Sequence, residues 1–554
     1  MSIFSALKGL FKSRGAPAPP GSGTSSSGPG GSAAPPPAAP ASQTAPGSDI
    51  AGAPQGLSAT APQSVTPAQH GRVLLIHGYS AGGEDFTHWR DALAAKGIAT
   101  ADIEIANYVT LNNEVTIKDL GEAFDRALRY TRFPDGDRGE DWTFDAMVHS
   151  TGMLVLRQWL TGDPYPNDPK RSRVRRLKHL VGLAPATFGS PQAKKGRSWL
   201  GALVKGNKHF GPDFMNAGNE VLDGLELASR YTWNLAHKDM LNDPPLYNKG
   251  DQSPYVAVFI GNHAYDGIAA LSNSPGCDGT VRWAGCSLDT RKITLDFRRT
   301  PQIPGGAPGQ RYAISQWSTN RLAAPIIAVE NQDHGSIVAN PRPEVVDRVV
   351  QFFGISTDAA YSSWEDEALN FSAPARAVMD RRNGTKTVDE GKGWQQIVIH
   401  MVDDHEDGVT DYNLQIFHET DDPDTPSSVP LTADTYSTDN SYRCFYIQLT
   451  EDMLNLESTG KRMWVELIAS SGSELIEYMA YADDSGNPQR LAITSHDPTA
   501  GQPVRMDITD LTKGGDSLFY AYTTTLMEIF VEREPMPLKG VSAVLTFPDY
   551  AAGK

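Results

Sequence analysis

The 554-residue sequence is short of several things, and each shortage excludes a class of protein. Its three cysteines, Cys277, Cys286 and Cys444, are too few to staple a small secreted scaffold, and their spacing follows no zinc pattern. Cys277 and Cys286 leave two readings open, a bridge that braces one loop or two free thiols. No apolar run approaches the ~18 residues that a membrane-crossing helix needs, and the N-terminus lacks the apolar core of a secretory signal peptide. These shortages predict a cytoplasmic or peripheral membrane protein, with export by a non-classical route left open. Basic charge is scarce in the last third: residues 389–554 hold 10 Lys/Arg against 29 Asp/Glu, whereas residues 71–388 hold 36 of each. So acidic a surface repels phosphate, which argues against a nucleic-acid partner.

What is present changes character along the chain. Residues 1–14, "MSIFSALKGLFKSR", set Ile3, Phe4, Leu7, Leu10 and Phe11 at helical spacing among Lys8, Lys12 and Arg14. A short amphipathic helix of this kind suits a membrane surface or a protein partner, or is a frayed end without a role. Residues 15–70 are almost wholly Pro, Ala, Gly, Ser, Thr and Gln and read as a disordered linker, because they cannot bury enough apolar surface to offset ordering entropy.

From 71 to 355, short apolar runs such as "RVLLIHG", "TFDAMVHS", "LKHLVGLAPA" and "YVAVFIG" alternate with helical patterns. Continuous apolar strands between helices predict an α/β domain with a doubly wound, mostly parallel sheet covered on both faces. Residues 356–388 read as a connector. From 389 to 554, segments of period two separated by turns predict an all-β, sandwich-like domain of ~7–8 antiparallel strands. Its carboxylate-rich loops "DDHEDGVTDYN" and "HETDDPDTP" could hold Ca2+, although neither has the EF-hand spacing and a solvated acidic surface is the plainer reading. No other cofactor is implied.

The chemistry centres on "FDAMVHSTGMLVLRQWL", a strand, a tight turn and a helix with Ser150 at the turn. That is the setting of a G-x-S-x-G nucleophile elbow, which lifts a serine hydroxyl above a sheet. Val148 stands where the pattern has its first glycine, and Ser150 taken alone is equally a helix N-cap. A serine nucleophile needs a base, and "PIIAVENQDHGSIV" puts His334 in a loop after a strand and before the helix "PEVVDRVVQFFG".

With "VLLIHGYSAGG" at the start, "LAPATFGSP" after a later strand and "SPGCDGTV" before the histidine loop, residues 71–353 resemble bacterial lipases of the α/β-hydrolase fold. The resemblance implies an order of nucleophile, acid and histidine, with Ser150, Asp278 and His334 as the catalytic residues. Asp266 in "NHAYDG" is the alternative acid, being nearer the end of "YVAVFIG", and each aspartate is also a plain Asp-Gly turn. The oxyanion hole falls by position to the backbone N–H groups of Tyr79 and Thr151. An insertion at about 188–250 corresponds to the cap or lid of such enzymes. Its surroundings carry 11 Lys/Arg and no acid from Pro169 to Pro212, a bias that suits anionic lipid or is balanced by the acidic C-terminal domain. The expected function is hydrolysis of carboxylic esters in lipid-like substrates, as a lipase or phospholipase, through an acyl-enzyme. An acyltransferase with the same triad and a binding protein that has lost catalysis are the alternatives.

Overall fold

The computed structural model describes residues 73–78, 86–103, 115–131, 133, 142–168, 171–197, 219–249, 253–266, 273–315, 324–381, 391–422, 425–473, 475–482, 489–493, 503–512, 517–535 and 544. The amphipathic segment 1–14, the linker 15–70 and Tyr79 lie outside the described residues. Residues 66–554 form one compact unit.

Six strands make a parallel sheet in the order β2-β1-β3-β4-β5-β8. They are β1 (Val73–Ile76), β2 (Thr100–Ile103), β3 (Phe144–His149), β4 (Leu177–Leu183), β5 (Tyr255–Gly261) and β8 (Ile326–Val329). Two further strands, β6 (Thr290–Asp296) and β7 (Tyr312–Ser315), come between β5 and β8 in the chain but join another sheet. The runs Val73–Ile76, Phe144–His149 and Ile326–Val329 are buried along their whole length, and the first and last are wholly apolar, as strands covered by helices on both faces are. Those helices are α1 (Thr87–Ala95), α2 (Ile117–Thr131), α3 (Gly152–Thr161), α4 (Arg230–Asp239), α5 (Pro343–Phe353) and α6 (Asp358–Arg381).

Helix α3 leaves the end of β3 and is buried nearly all round, since α2 and α4 both pack on it. Its one charged residue, Arg157, is fully buried and would be costly alone. It donates from Nε and Nη2 to Asp239 of α4 at 2.7 and 3.0 Å, and from Nη1 to the Thr187 carbonyl at 2.6 Å. Tyr247 donates its hydroxyl to the same carboxylate at 3.0 Å. This network ties the helix behind Ser150 to the insertion and to the loop after β4.

The span read as a connector contains the 24-residue helix α6. Tyr361, Trp364, Ala368, Ala375 and Met379 repeat at helical spacing and are buried. Pro374 inside the helix is what breaks that pattern in the sequence. Ser372 Oγ accepts the Ala328 N–H at 2.7 Å, so the helix also closes the edge strand β8.

The C-terminal region holds two sheets. The smaller runs β11-β10-β14-β17, with β10 (Asp411–His418), β11 (Ser427–Ser428), β14 (Met463–Ser470) and β17 (Val504–Asp507). The larger runs β12-β13-β9-β18-β15-β16, with β9 (Gly391–Asp403), β12 (Thr432–Thr435), β13 (Tyr442–Thr450), β15 (Ile476–Ala482), β16 (Gln489–Ala492) and β18 (Thr523–Pro535). It departs from the expected antiparallel pattern, because β18 runs parallel both to β9 and to β6. The hairpin β6–β7 thus leaves the α/β part of the chain and pairs into this sheet. Alternation along β9 sends Ile397, Ile399 and Met401 into the core between the two β-sheets. Trp394 and Val398 face the opposite way and join the core of the α/β domain. The large sheet is therefore buried on both faces, and one of them backs the α/β domain.

Candidate active site

Ser150 sits where β3 turns into α3, and its φ of 51° lies in the left-handed region that costs a residue with a Cβ about 1–3 kcal/mol. Strain of that size persists only where neighbours hold it. Ser150 donates its N–H to the Leu183 carbonyl at 3.3 Å, and its own carbonyl accepts from Met153 and Ala186 at 3.2 and 3.0 Å. A Cβ at Gly152 would lie 2.8 Å from the carbonyl oxygens of Ile76 and His77, so only glycine lets α3 start this close to β1. Val148, in the place of the other glycine, is registered beside Gly182 on β4. A Cβ at Gly182 would meet the Met153 side chain at 3.0 Å, so room under α3 comes from the neighbouring strand instead.

Three residues named from the sequence are drawn into a hydrogen-bonded line. His334 Nε2 lies 3.1 Å from Ser150 Oγ, and His334 Nδ1 lies 3.0 Å from Asp278 Oδ2. All three are buried. Asp278 Oδ1 accepts the N–H groups of Thr280 and Val281 at 3.0 and 2.8 Å, which fixes the carboxylate plane. The His334 N–H also donates to the Asp278 carbonyl at 3.0 Å, joining the two loops through their backbones. Asp266, the alternative acid, is exposed, and the His334 ring is paired with Asp278.

Thr151 is the N-cap of α3, where helix N–H groups and the positive end of the helix dipole converge. Tyr79, its expected partner, lies outside the described residues. The strand leading to it approaches closely, since a Cβ at Gly78 would be 3.2 Å from Ser150 Cβ.

His149 contributes in a way the sequence reading missed, although it adjoins the serine. Its Nε2 lies 3.0 Å from the His334 carbonyl, and the two rings sit 4.7 Å apart. Burial, reinforced by His334, holds His149 well below the ordinary histidine range. It is therefore neutral, and Nε2 carries the proton that it donates to the His334 carbonyl.

Cys277, Cys286 and Cys444 are separate buried thiols, so no bridge braces the acid loop. Among the described residues no group of three or more His, Cys, Asp and Glu is placed to hold a metal ion, and no helix is long and apolar enough to cross a membrane. In the loop at 403–407, Asp403 Oδ1 is occupied by the N–H groups of His405 and Asp407.

No protein-family model and no curated protein matches the sequence. Among solved structures the chain is similar to phospholipase PlaB from Legionella pneumophila, with a TM-score of 0.62 and 18% identity over 86% of this chain and 98% of that one. The same enzyme in complex with thio-NAD matches with a TM-score of 0.59 and 17% identity over 86% and 97% of the two chains. The likeness spans the parallel sheet and the C-terminal β region together, and it shows the fold: an α/β-hydrolase domain with an attached β domain.

Proposed function

We propose that the protein is a serine-dependent carboxylic ester hydrolase that acts on lipid-like esters, as a lipase or phospholipase, through an acyl-enzyme. The observation that carries this reading is the line Asp278–His334–Ser150 at a strained strand-to-helix turn. Serine attacks an ester carbonyl only if its proton leaves as the bond forms. His334 Nε2 is within reach to take it, and Asp278 opposite Nδ1 stabilises the imidazolium and fixes the tautomer. The proton then passes to the leaving alcohol. Water, activated by the same imidazole, cleaves the acyl-enzyme and regenerates the serine. Charge on the tetrahedral oxygen would be met by the Thr151 N–H at the start of α3, with the Tyr79 N–H as second donor; one such donor is worth ~3–4 kcal/mol.

The lipid-like substrate is favoured by the basic bias from Pro169 to Pro212 and by the fold shared with a phospholipase. Part of that basic charge is neutralised internally, because Arg173 pairs with Asp125 at 3.0 Å and Arg171 with Asp168 at 2.5 Å. The reading is tested by mass spectrometry of products formed from a mixed lipid extract. Free fatty acid that disappears with Ser150→Ala supports it. Transfer of acyl groups to an added alcohol in preference to water would make the protein an acyltransferase, and no product of either kind would favour a non-catalytic binding role.

A further inference from the structure

The loop that carries Asp278 is gripped from outside the α/β domain. It is a tight hairpin: the Trp283 N–H donates to the Gly276 carbonyl at 3.0 Å, Cys277 bridges to Arg282, and the Asp278 N–H donates to the Val281 carbonyl at 3.2 Å. Arg282, almost fully buried, sends its guanidinium into the C-terminal sheet. Nη2 donates to Asp434 Oδ2 on β12 at 2.5 Å, Nη1 donates to Cys444 Sγ on β13 at 3.3 Å, and the group lies 4.5 Å over the Tyr446 ring on β13. Tyr446 closes the circuit by donating its hydroxyl to the Gly276 carbonyl at 2.6 Å. The two surfaces are flush, since a Cβ at Gly276 would lie 2.5 Å from Tyr446 and 2.7 Å from Trp394. Trp394 stacks on Tyr446 with ring centres 5.0 Å apart and is anchored by donating to the Met379 carbonyl of α6 at 3.0 Å. Burial pushes the Cys444 thiol up to about 12, so it is neutral and the countercharge for Arg282 is Asp434.

We propose that Arg282 is a positioning residue for Asp278, and that the β12–β13 hairpin of the C-terminal domain is the support through which it acts. This rests on the ester-hydrolase reading of the site. The reasoning is mechanical. Asp278 is four residues from Arg282 in a loop too short to absorb a shift, and its backbone carbonyl also holds the His334 N–H. Freeing the loop by ~1 Å would stretch the 3.0 Å contact from Asp278 to His334 beyond hydrogen-bonding range. From the insertion, Ser190 Oγ donates to the Thr280 carbonyl at 2.5 Å and Gln192 Nε2 to the Gly279 carbonyl at 3.3 Å. The acid loop is thus held by both the start of the insertion and the C-terminal hairpin. An ammonium in place of the guanidinium cannot fork to Asp434 and Cys444 while lying flat on Tyr446, so lysine does not substitute for Arg282.

The test uses the full chain with Arg282→Lys and, as a milder change that keeps the ring stack, Tyr446→Phe. Three readouts are taken: kcat and KM on a soluble short-chain ester, thermal unfolding, and the downfield proton NMR resonance of the hydrogen bond from His334 Nδ1 to Asp278, with Asp278→Asn as reference. We expect kcat to fall by up to about a hundredfold in Arg282→Lys and less in Tyr446→Phe, with KM little changed. The downfield resonance should move upfield or disappear, because a carboxylate that drifts away no longer accepts the Nδ1 proton. A lowered unfolding temperature with wild-type kcat and a wild-type downfield resonance in both variants would make Arg282 domain glue and overturn the proposal. If the wild type hydrolyses no ester, the proposed function fails, and the downfield resonance alone decides the positioning role.

Discussion

Exchange of Asp278 for asparagine removes one charge and leaves the shape, and the structure dictates which way the amide will face. The carboxylate has two unlike sides: Oδ1 accepts two backbone N–H groups, while Oδ2 faces His334 Nδ1 alone. An asparagine that kept its oxygen toward Thr280 and Val281 satisfies both donors. Turned the other way, it would face them with its own N–H groups and leave buried donors unpaired, at ~1–3 kcal/mol each. The amide nitrogen therefore points at His334 and donates to Nδ1, which forces the ring proton onto Nε2. That nitrogen can then no longer accept the Ser150 proton. Loss of the correct tautomer costs ~10⁴ in kcat in the serine-protease precedent, equivalent to ~5.5 kcal/mol of barrier. Because both backbone donors stay satisfied, thermal unfolding should change little. The assay is steady-state hydrolysis of a short-chain ester by Asp278→Asn and, in parallel, by Asp266→Asn, whose exposed side chain should not matter. Near-wild-type turnover by Asp278→Asn, or a larger loss in Asp266→Asn, would refute the assignment.

Three other outcomes follow from the packing. Gly152→Ala should destabilise by about 1–3 kcal/mol in denaturant unfolding, because the two carbonyls that its Cβ would meet belong to the last residue of β1 and to the residue after it and cannot step aside. Arg157→Met should cost about 3–5 kcal/mol by leaving the Asp239 carboxylate buried without its cation, and adding Asp239→Leu should restore part of the loss. His400, stacked on Tyr442 and pushed by burial down to about 4, is neutral in the fold. Between pH 6.5 and about 4 only the unfolded chain takes up this proton, so stability falls as pH drops through that window, by on the order of 3 kcal/mol from this group. Unfolding free energies of His400→Gln should be less pH-dependent there than those of the wild type, and equal slopes would contradict the assignment.

The parts that were legible in the sequence are those written in local patterns. The change from an apolar run to helical spacing at Ser150 marks the strand-to-helix turn, and the period-two segments after 390 mark strands. What stayed hidden depends on partners far along the chain. Nothing local marks Arg282, because Asp434, its countercharge, is 152 residues away. The hairpin β6–β7 has the same alternation whichever sheet it joins, so nothing local shows that it pairs with β18. Helix α6 was obscured by Pro374, which is tolerated because neighbouring strands and Trp394 hold the helix in place. Val148 weakened the elbow pattern only while Gly182 could not be seen beside it.

The central claim is that the Ser150 hydroxyl is a nucleophile activated by His334. Reaction of the full chain with a fluorophosphonate, followed by intact-mass and peptide mass spectrometry, tests it most directly. The account predicts one adduct per chain, located on Ser150, absent from Ser150→Ala and formed far more slowly by His334→Ala and Asp278→Asn. Undiminished labelling of Ser150→Ala, or an adduct on another residue of the wild type, would contradict it.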